Sequence, residues 1–277
     1  MKAFLERAAT LIATADGLII GAGAGMGVDS GLPDFRGEHG FWNAYPALGR
    51  ARLHFTDIAN PQAFVKDPHL AWGFYGHRLN LYRATTPNPA FSILKAIADT
   101  LPFGAFVYTS NVDGQFQKAG FDPERVWECH GSIHHLQCLE VCCPEIWPAG
   151  DFVPVIDAEN CRLQSDLPRC PRCGGLARPN ILMFDDMLWV WERSEERKRN
   201  YLAWRETVQR PVVVEIGAGT KIPSVRMFSE NTKASLIRII PADADLCGAE
   251  GVAISLGGAA AMQGIADCLS EWVALRK

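Results

Sequence analysis

The stretch Leu18-Ile19-Ile20-Gly21-Ala22-Gly23-Ala24-Gly25-Met26-Gly27 decides the fold. Its apolar beginning does not alternate with polar residues, which is typical of a parallel strand buried on both faces. The strand runs directly into a glycine-rich turn, after which a helix is expected. In such a unit the glycines let the backbone approach a dinucleotide pyrophosphate, and the helix N-terminus supplies amide donors. A tight turn with left-handed residues would give the same pattern, so these glycines alone leave both interpretations open.

Further apolar runs predict more strands of the same sheet, separated by helical patterns. The strand runs are 104–109, 126–130, 211–216 and 235–240, and the helical stretches are 1–15, a helix starting at Asn88-Pro89, 190–209 and 258–275. Alternation of strands and helices indicates an α/β fold with a Rossmann-like, doubly wound parallel sheet.

Composition restricts the function classes. The chain has 277 residues, enough for one large domain or one domain with an insertion, and 48% hydrophobic with 21% charged residues is ordinary for a globular protein. A net charge of −4 gives no sign of a nucleic-acid surface. No apolar run is long enough to span a bilayer, so we expect no membrane partner. The N-terminus is charged where a signal peptide would be apolar, and we therefore expect a cytoplasmic location.

Polar residues follow two of the predicted strands, at the edge where open α/β sheets bind ligands. Ser110-Asn111-Val112-Asp113 follows the second strand, and His130 stands at the end of the third. An Asx turn with a helix cap would also explain the Asn/Asp pair, and Asp113 can cap the next helix while Asn111 faces a cleft. Position alone leaves His130 open between a buried structural histidine and a catalytic one. His134 and His135 have the weaker claim to catalysis.

The loop after the glycine turn holds Asp34, Phe35 and Arg36 together in the sequence Ser30-Gly31-Leu32-Pro33-Asp34-Phe35-Arg36-Gly37. It is too polar and too broken for a core element, and loops of this kind often close over a ligand. The aromatic-rich stretch 41–85 follows. We interpret its aromatic residues as the core of a small helical module and not as a ligand cage.

Cysteine clustering predicts a metal site. Cys170-Pro171-Arg172-Cys173, followed by two glycines, has the spacing of a knuckle in which two thiolates reach one metal. Cys138 is the expected third ligand, with Cys142 as its partner and Cys143 as the close competitor. The whole segment 138–173 is proline-rich and lacks periodicity, so a metal would have to order it. Cys161 stands alone between the two pairs and is the least favoured candidate ligand, and Cys247 and Cys268 are expected in the core.

In chain order, these motifs resemble those of the sirtuins, the Sir2 family of NAD-dependent protein deacylases. Gly23-Ala24-Gly25 with Gly31-Leu32-Pro33-Asp34-Phe35-Arg36 resembles the family's GAG…GIPDFR, Thr109-Ser110-Asn111-Val112-Asp113 its TQNID, His130-Gly131 its catalytic HG, Cys138, Cys142, Cys170 and Cys173 its zinc tetrad, Arg178-Pro179-Asn180-Ile181 through Phe184 its RPNIVxFGE, and Gly217-Ala218-Gly219 its GTS. The order of the motifs, from the first strand to beyond residue 217, carries the resemblance.

The resemblance implies an acyl transfer from an acyl-lysine protein or peptide to the ADP-ribose of NAD, with release of nicotinamide. His130 would be the general base on a ribose hydroxyl, and Asn111 and Asp113 would hold the nicotinamide carboxamide and the ribose. Met183, Phe184 and Asp185 would bind the substrate peptide by strand addition. The zinc would be structural, because four thiolates leave no open coordination position. The implied cofactor-binding residues are Ala22, Gly23, Ala24, Gly25, Asp34, Phe35, Arg36, Ser110, Asn111, Asp113, Gly217, Ala218, Gly219, Thr220 and Ile240.

Several positions depart from the family pattern. The departures are Ala22 for threonine, Gly27 for a small polar residue, Ser110 for glutamine, Ala218-Gly219 for Thr-Ser, Ile240 for asparagine, Phe184-Asp185-Asp186 for FGE, and a first cysteine pair spaced C-x3-C or C-x4-C. Each lost side chain removes a hydrogen bond of roughly 0.5–1.5 kcal/mol, which predicts weaker NAD binding or compensation by backbone amides and Thr220.

These departures leave alternatives of function open. One alternative is an NAD hydrolase or ADP-ribosyltransferase on the same fold, and another is a zinc-stabilised NAD sensor without turnover.

Residues 1–40, 86–134 and 176–277 are predicted to form the NAD-binding domain. The helical module 41–85 and the zinc-binding module 135–175 would form a smaller inserted lobe.

Overall fold

The strands and helices below are those of a computed structural model, which describes residues 1–33 and 37–274. The strands are β1 (Gly17–Ala22), β2 (Ala105–Thr109), β3 (Val126–Glu128), β4 (Gly131–Cys138), β5 (Ile146–Pro148), β6 (Ile156–Asp157), β7 (Arg162–Leu163), β8 (Ala177–Ile181), β9 (Pro211–Ile216), β10 (Ser235–Ile239) and β11 (Gly251–Ile254). The helices are α1 (Lys2–Thr14), α2 (Gly25–Val28), α3 (Gly37–Ala44), α4 (Pro46–Arg50), α5 (Phe55–Ile58), α6 (Pro61–Lys66), α7 (Pro68–Ala84), α8 (Pro89–Thr100), α9 (Gln115–Lys118), α10 (Glu192–Thr207), α11 (Ser224–Asn231) and α12 (Gly258–Ala274).

A six-stranded parallel sheet carries the fold, with the strand order β11-β10-β9-β1-β2-β3. β1 lies between β9 and β2, so the chain winds outward from β1 in both directions. In such sheets the crevice at the carboxyl ends of the central strands is the ligand site. The predicted doubly wound α/β fold is therefore confirmed. β11 was not predicted from the sequence.

Helices cover both faces of this sheet, which explains why its strands do not alternate. Ile20 and Val107 point to the core formed with α1, α8 and α12. Their neighbours Ile19 and Phe106 point to the opposite face and pack against the aromatic residues of α10. Successive side chains of a strand face opposite sides, so a strand covered on both sides is apolar throughout.

The smaller lobe combines a helical layer with a small antiparallel sheet. β4 pairs with β5 on one side and β8 on the other. The predicted aromatic core of the helical module is confirmed: Phe41, Phe74 and Trp72 are fully buried in one cluster with residues of β4. Trp72 also donates its indole N–H to the carbonyl of Ala177, which joins the helical layer to the small sheet.

The predicted domain boundaries cross this small sheet. β4 runs over the boundary predicted at 134/135, and β8 pairs with β4 although the sequence assigned it to the NAD-binding domain. The boundaries stay a prediction. Among the described residues, no helix combines the length and apolarity needed to cross a membrane.

Candidate functional site

Two glycine turns meet at the carboxyl ends of β1 and β9. Gly23 donates its N–H to the carbonyl of Ile216, and Gly25 donates to the carbonyl of Gly217. A Cβ on Gly23 would lie 2.6 Å from the Gly217 carbonyl oxygen, and a Cβ on Gly217 would lie 2.4 Å from the nitrogen of Met26. Both positions therefore require glycine, because the backbones of the two turns touch at this edge of the sheet, where parallel α/β sheets bind dinucleotides.

Gly217→Ala should lower the free energy of unfolding by more than about 1–3 kcal/mol, because Gly217 has a φ of +64° and its Cβ would collide with backbone atoms. Gly219→Ala in the same turn is the matched control, since no atom lies within 4 Å of its Cβ position. Urea unfolding of both variants measures the difference. Equal stability of the two would contradict the close contact of the turns.

Asn111 and Thr109 tie the end of β2 to the first glycine turn. Thr109 donates its hydroxyl proton to the carbonyl of Ala22 at 2.9 Å. The Asn111 side-chain amide donates to the carbonyl of Gly23 at 3.0 Å. The Asn111 side chain thus lies against the first glycine turn, and the Thr109 hydroxyl helps to hold it there by accepting the Asn111 backbone N–H at 3.0 Å.

Asp113 is a buried carboxylate next to Asn111. Its Oδ1 accepts the backbone N–H of Gln115, so it forms the Asx turn expected from the sequence. Burial raises the pKa of Asp113 to about 6, partly opposed by the Gln115 hydrogen bond and reinforced by the charge of Glu128. His134 lies close by and its Nε2 is 2.9 Å from the Asp113 carbonyl oxygen, so this histidine supports the turn.

Asp113→Asn should stabilise the protein at pH 7.5 by on the order of 2–3 kcal/mol. The folded carboxyl has a pKa of about 6, above the unfolded value. The folded state therefore keeps a proton that the unfolded state loses, so wild-type stability falls as pH rises from about 4 to about 6 and then stays level. Asparagine keeps the Asx acceptor and removes this penalty.

Urea unfolding at pH 5 and pH 7.5 tests this expectation. The gain from Asp113→Asn should shrink to about half at pH 5, where the folded carboxyl is mostly protonated. Asp122→Asn is the matched control, because exposed Asp122 makes the same turn by accepting the N–H of Glu124. A gain that is equal at both pH values, or equal in the control, would contradict the buried-carboxylate account.

His130 lies just beyond the end of β3, between the two sheets. Its carbonyl accepts the N–H of Leu182, and its Nε2 lies 3.3 Å from the Ser224 hydroxyl. Burial lowers the pKa of His130 below its ordinary value, and a hydrogen bond with the Ser110 backbone opposes this shift. The imidazole is consequently neutral at neutral pH, which is the form that can accept a proton.

The predicted substrate segment, Met183 to Asp185, follows β8 without being a regular strand. Its first amides are already engaged: Met183 donates to the carboxylate of Asp186, and Phe184 donates to the carbonyl of Ala59. An incoming strand would therefore have to use the carbonyl groups of this segment more than its N–H groups. Strand addition stays a prediction.

Asp186, the last residue of the variant FGE motif, is a structural residue. Its carboxylate forms a fully buried bidentate pair with Arg178 at 2.8 and 2.9 Å, and it also accepts the N–H of Leu188. Removing either charge would leave the other buried without a partner. The pair fixes the turn that carries the predicted substrate segment.

The four predicted zinc ligands converge. The sulfur atoms of Cys138, Cys142, Cys170 and Cys173 all lie within 4.8 Å of one another. The Cys138–Cys173 and Cys142–Cys170 sulfur distances are 3.8 and 3.6 Å. A tetrahedral zinc with Zn–S bonds of about 2.3 Å places its sulfur atoms about 3.8 Å apart, so the cluster fits a structural zinc ion.

The other cysteines lie outside this cluster. Cys143 is 3.8 Å from Cys142 but does not belong to the mutually close set. Cys161 is buried in the core of the small lobe, and Cys268 packs against the main core. The expectation that Cys247 is a core residue is wrong: it is exposed, because it lies in the loop between β10 and β11.

The remaining predicted cofactor positions surround the same edge of the sheet. Ala24, Gly219 and Thr220 are exposed, whereas Ala22, Ala218 and Ile240 are buried. Ile240 donates its N–H to the carbonyl of Ile254 and so continues the pairing of β10 with β11. Asp34, Phe35 and Arg36 lie outside the described residues.

Comparison with known proteins identifies the family from the same residues. The model of the Sir2 family matches residues 23–221, a range that contains the glycine turns, His130 and the cysteine cluster. This chain belongs to the Sir2 family. An NAD-dependent protein deacylase of Thermococcus kodakarensis is 35% identical over 187 residues, which cover 66% of this chain and 65% of that protein. An NAD-dependent protein deacylase of Aquifex aeolicus is 30% identical over 219 residues, covering 79% and 81% of the two chains.

Solved structures agree with this assignment at the level of fold. A crystal structure of a Sir2 homologue in complex with NAD superposes with a TM-score of 0.72 over 97% of this chain and 94% of that one, at 24% identity. The Sir2 fold of the chain follows from this likeness. The sequence prediction of the family is confirmed.

Proposed function

We propose that this Sir2-family chain is an NAD-dependent protein-lysine deacylase that transfers the acyl group to ADP-ribose and releases nicotinamide. The observation that carries the proposal is the convergence of His130, Asn111 and Asp113 with both glycine turns at one edge of the sheet. The family members of Thermococcus kodakarensis and Aquifex aeolicus are named for this activity.

The glycine turns are the proposed NAD site. The support for this site is that the two glycine turns lie in backbone contact at the carboxyl edge of the sheet, a contact that a Cβ on Gly23 or Gly217 would block. Bound there, NAD would supply ADP-ribose as acyl acceptor and nicotinamide as leaving group. Asn111 and Asp113 would orient the nicotinamide ribose. Because Gly23, Gly25 and Gly217 donate their N–H groups to backbone carbonyls, the donors toward phosphate would be the other amides of the turns and the Thr220 hydroxyl.

His130 would act as the base in this site. Burial keeps its imidazole neutral, so it can take the proton of a ribose hydroxyl and make that oxygen nucleophilic. Leu182 donates its N–H to the His130 carbonyl, so the segment that follows lies beside this base. The exposed side chains of Leu182 and Phe184 would contact the acyl-lysine peptide. A zinc ion held by the cysteine cluster would have a structural role. A cytoplasmic location and the absence of nucleic-acid and membrane partners stay predictions.

Product analysis tests the reaction. The protein is incubated with NAD and a panel of acyl-lysine peptides that differ in the acyl chain, and products are identified by mass spectrometry. The proposal predicts deacylated peptide and acylated ADP-ribose in equal amounts. ADP-ribose attached to the peptide, or free ADP-ribose with the acyl-lysine intact, would instead identify a transferase or hydrolase.

A further inference from the structure

The hydroxyl of Ser224 faces the proposed base. Ser224 is the first residue of α11, and its Oγ lies 3.3 Å from Nε2 of His130. The N-cap of this helix is Pro223, and no side chain caps it, so the serine is not there to cap the helix. Within residues 1–33 and 37–274, His130 is the one hydrogen-bond partner described for this hydroxyl.

The helix holds this hydroxyl in place firmly. Val225 is 2% exposed and Arg226 is 7% exposed, so the residues next to Ser224 are anchored in the protein. The Arg226 guanidinium donates to the carbonyl of Ala218 at 3.0 Å and to that of Asp243 at 2.6 Å. The first of these carbonyls belongs to the second glycine turn. The Ser224 hydroxyl is therefore fixed relative to the same turn that forms the proposed NAD site.

We propose that Ser224 is a positioning residue, whose hydrogen bond to Nε2 holds the His130 imidazole in the tautomer and orientation of a general base. The inference rests on the proposed function, because only there does His130 act as a base. Ser224 would keep its hydrogen bond to Nε2 after the substrates bind, and would give way to the ribose hydroxyl only at the step in which the base takes the proton. No covalent step involves the serine.

Hydrogen bonding on both sides of the ring carries the argument. A hydrogen bond with the Ser110 backbone raises the pKa of His130, because it stabilises the protonated ring. Such a bond is one in which a ring N–H donates to the Ser110 carbonyl. A neutral imidazole has only one N–H. Since Nε2 faces Ser224, that nitrogen keeps its lone pair and the serine hydroxyl donates to it. Without the Ser224 hydroxyl, only the hydrogen bond to the Ser110 backbone would favour this tautomer.

Nitrogen-15 NMR of the intact protein labelled at histidine tests the tautomer directly. At pH 8 the His130 signals, assigned by their loss in His130→Gln, should show Nε2 as the unprotonated nitrogen in wild type. In Ser224→Ala the two ring-nitrogen shifts should move toward each other, as expected for mixed tautomers. Ser224→Thr should restore the wild-type shifts. Ser229→Ala is the matched control, because Ser229 lies on the same helix and its buried hydroxyl has no hydrogen-bond partner among the described residues.

Kinetics separate positioning from NAD binding. Ser224→Ala should lower kcat about 3- to 10-fold, the range of one lost hydrogen bond, with the KM for NAD unchanged. Unaltered histidine shifts in Ser224→Ala, or equal kcat loss in the alanine and threonine variants, would overturn the inference. If wild type shows no acyl transfer, the proposed function fails, whereas the NMR comparison still decides whether Ser224 sets the His130 tautomer.

Discussion

His130→Ala should lower the rate of acyl transfer by about 10²- to 10⁴-fold, the usual cost of a lost general base. The half-buried ring contacts Ser224 and the Ser110 backbone at the edge of the cleft, so its removal should change the free energy of unfolding little. Because burial lowers the pKa of His130, the wild-type rate should stay level as the pH falls through the ordinary titration range of histidine, and should decrease only at lower pH. Steady-state assays across pH measure both effects.

His134→Ala is the matched control for this variant. His134 is a similarly half-buried histidine close to His130 in the chain, but its Nε2 contacts the Asp113 carbonyl instead of the crevice. It should keep more than about a tenth of the activity, since it supports a turn and takes no proton. A His130→Ala enzyme that retains more than half of the wild-type rate would refute the catalytic role.

Cys170→Ser should abolish activity by releasing zinc and disordering residues 138–173. The cluster joins the two ends of this segment, and the segment's contacts with the core of the small lobe, through Leu139, Ala149, Cys161 and Leu163, lie between those ends. The binding free energy of a four-thiolate zinc site is on the order of 10 kcal/mol, comparable with the stability of a whole domain. Elemental analysis should give one zinc per chain in wild type and less than a tenth of that in the variant.

Cys143→Ser is the control that tests the choice of ligands. Cys143 is adjacent to Cys142 in the chain but lies outside the mutually close set of sulfur atoms, so its loss should leave full zinc occupancy. Cys142→Ser should lose zinc. The reverse pattern would show that Cys143 is the ligand, and activity that persists after complete chelation would remove the structural role of zinc.

The central sheet was predictable because its signals are local. β1 and β9 are short, mostly apolar runs, each followed by a glycine turn. Their lack of alternation reports burial on both faces, and the structure places them between two layers of helices. The Asx turn at Asp113 is local in the same sense. It depends on two residues that are two positions apart in the chain.

The small sheet and the serine beside His130 depend on distant contacts, and the sequence could not show them. β8 reads Ala-Arg-Pro-Asn-Ile, which lacks a strand pattern, and it is stabilised because Arg178 finds Asp186 and Asn180 finds Gln137. Ser224 belongs to no motif, and only the packing of α11 on β1 and β9 brings it to the histidine. Tertiary partners of this kind override local propensity.

Nicotinamide release by the wild-type protein, measured with NAD alone and with NAD plus an acyl-lysine peptide, tests the central claim most directly. The site at the edge of the sheet predicts that release depends on the peptide and equals the amount of lysine deacylated. Release at the same rate without peptide would contradict the deacylase assignment and indicate an NAD hydrolase. Absence of release under both conditions would contradict the assignment of any turnover to His130, Asn111 and Asp113.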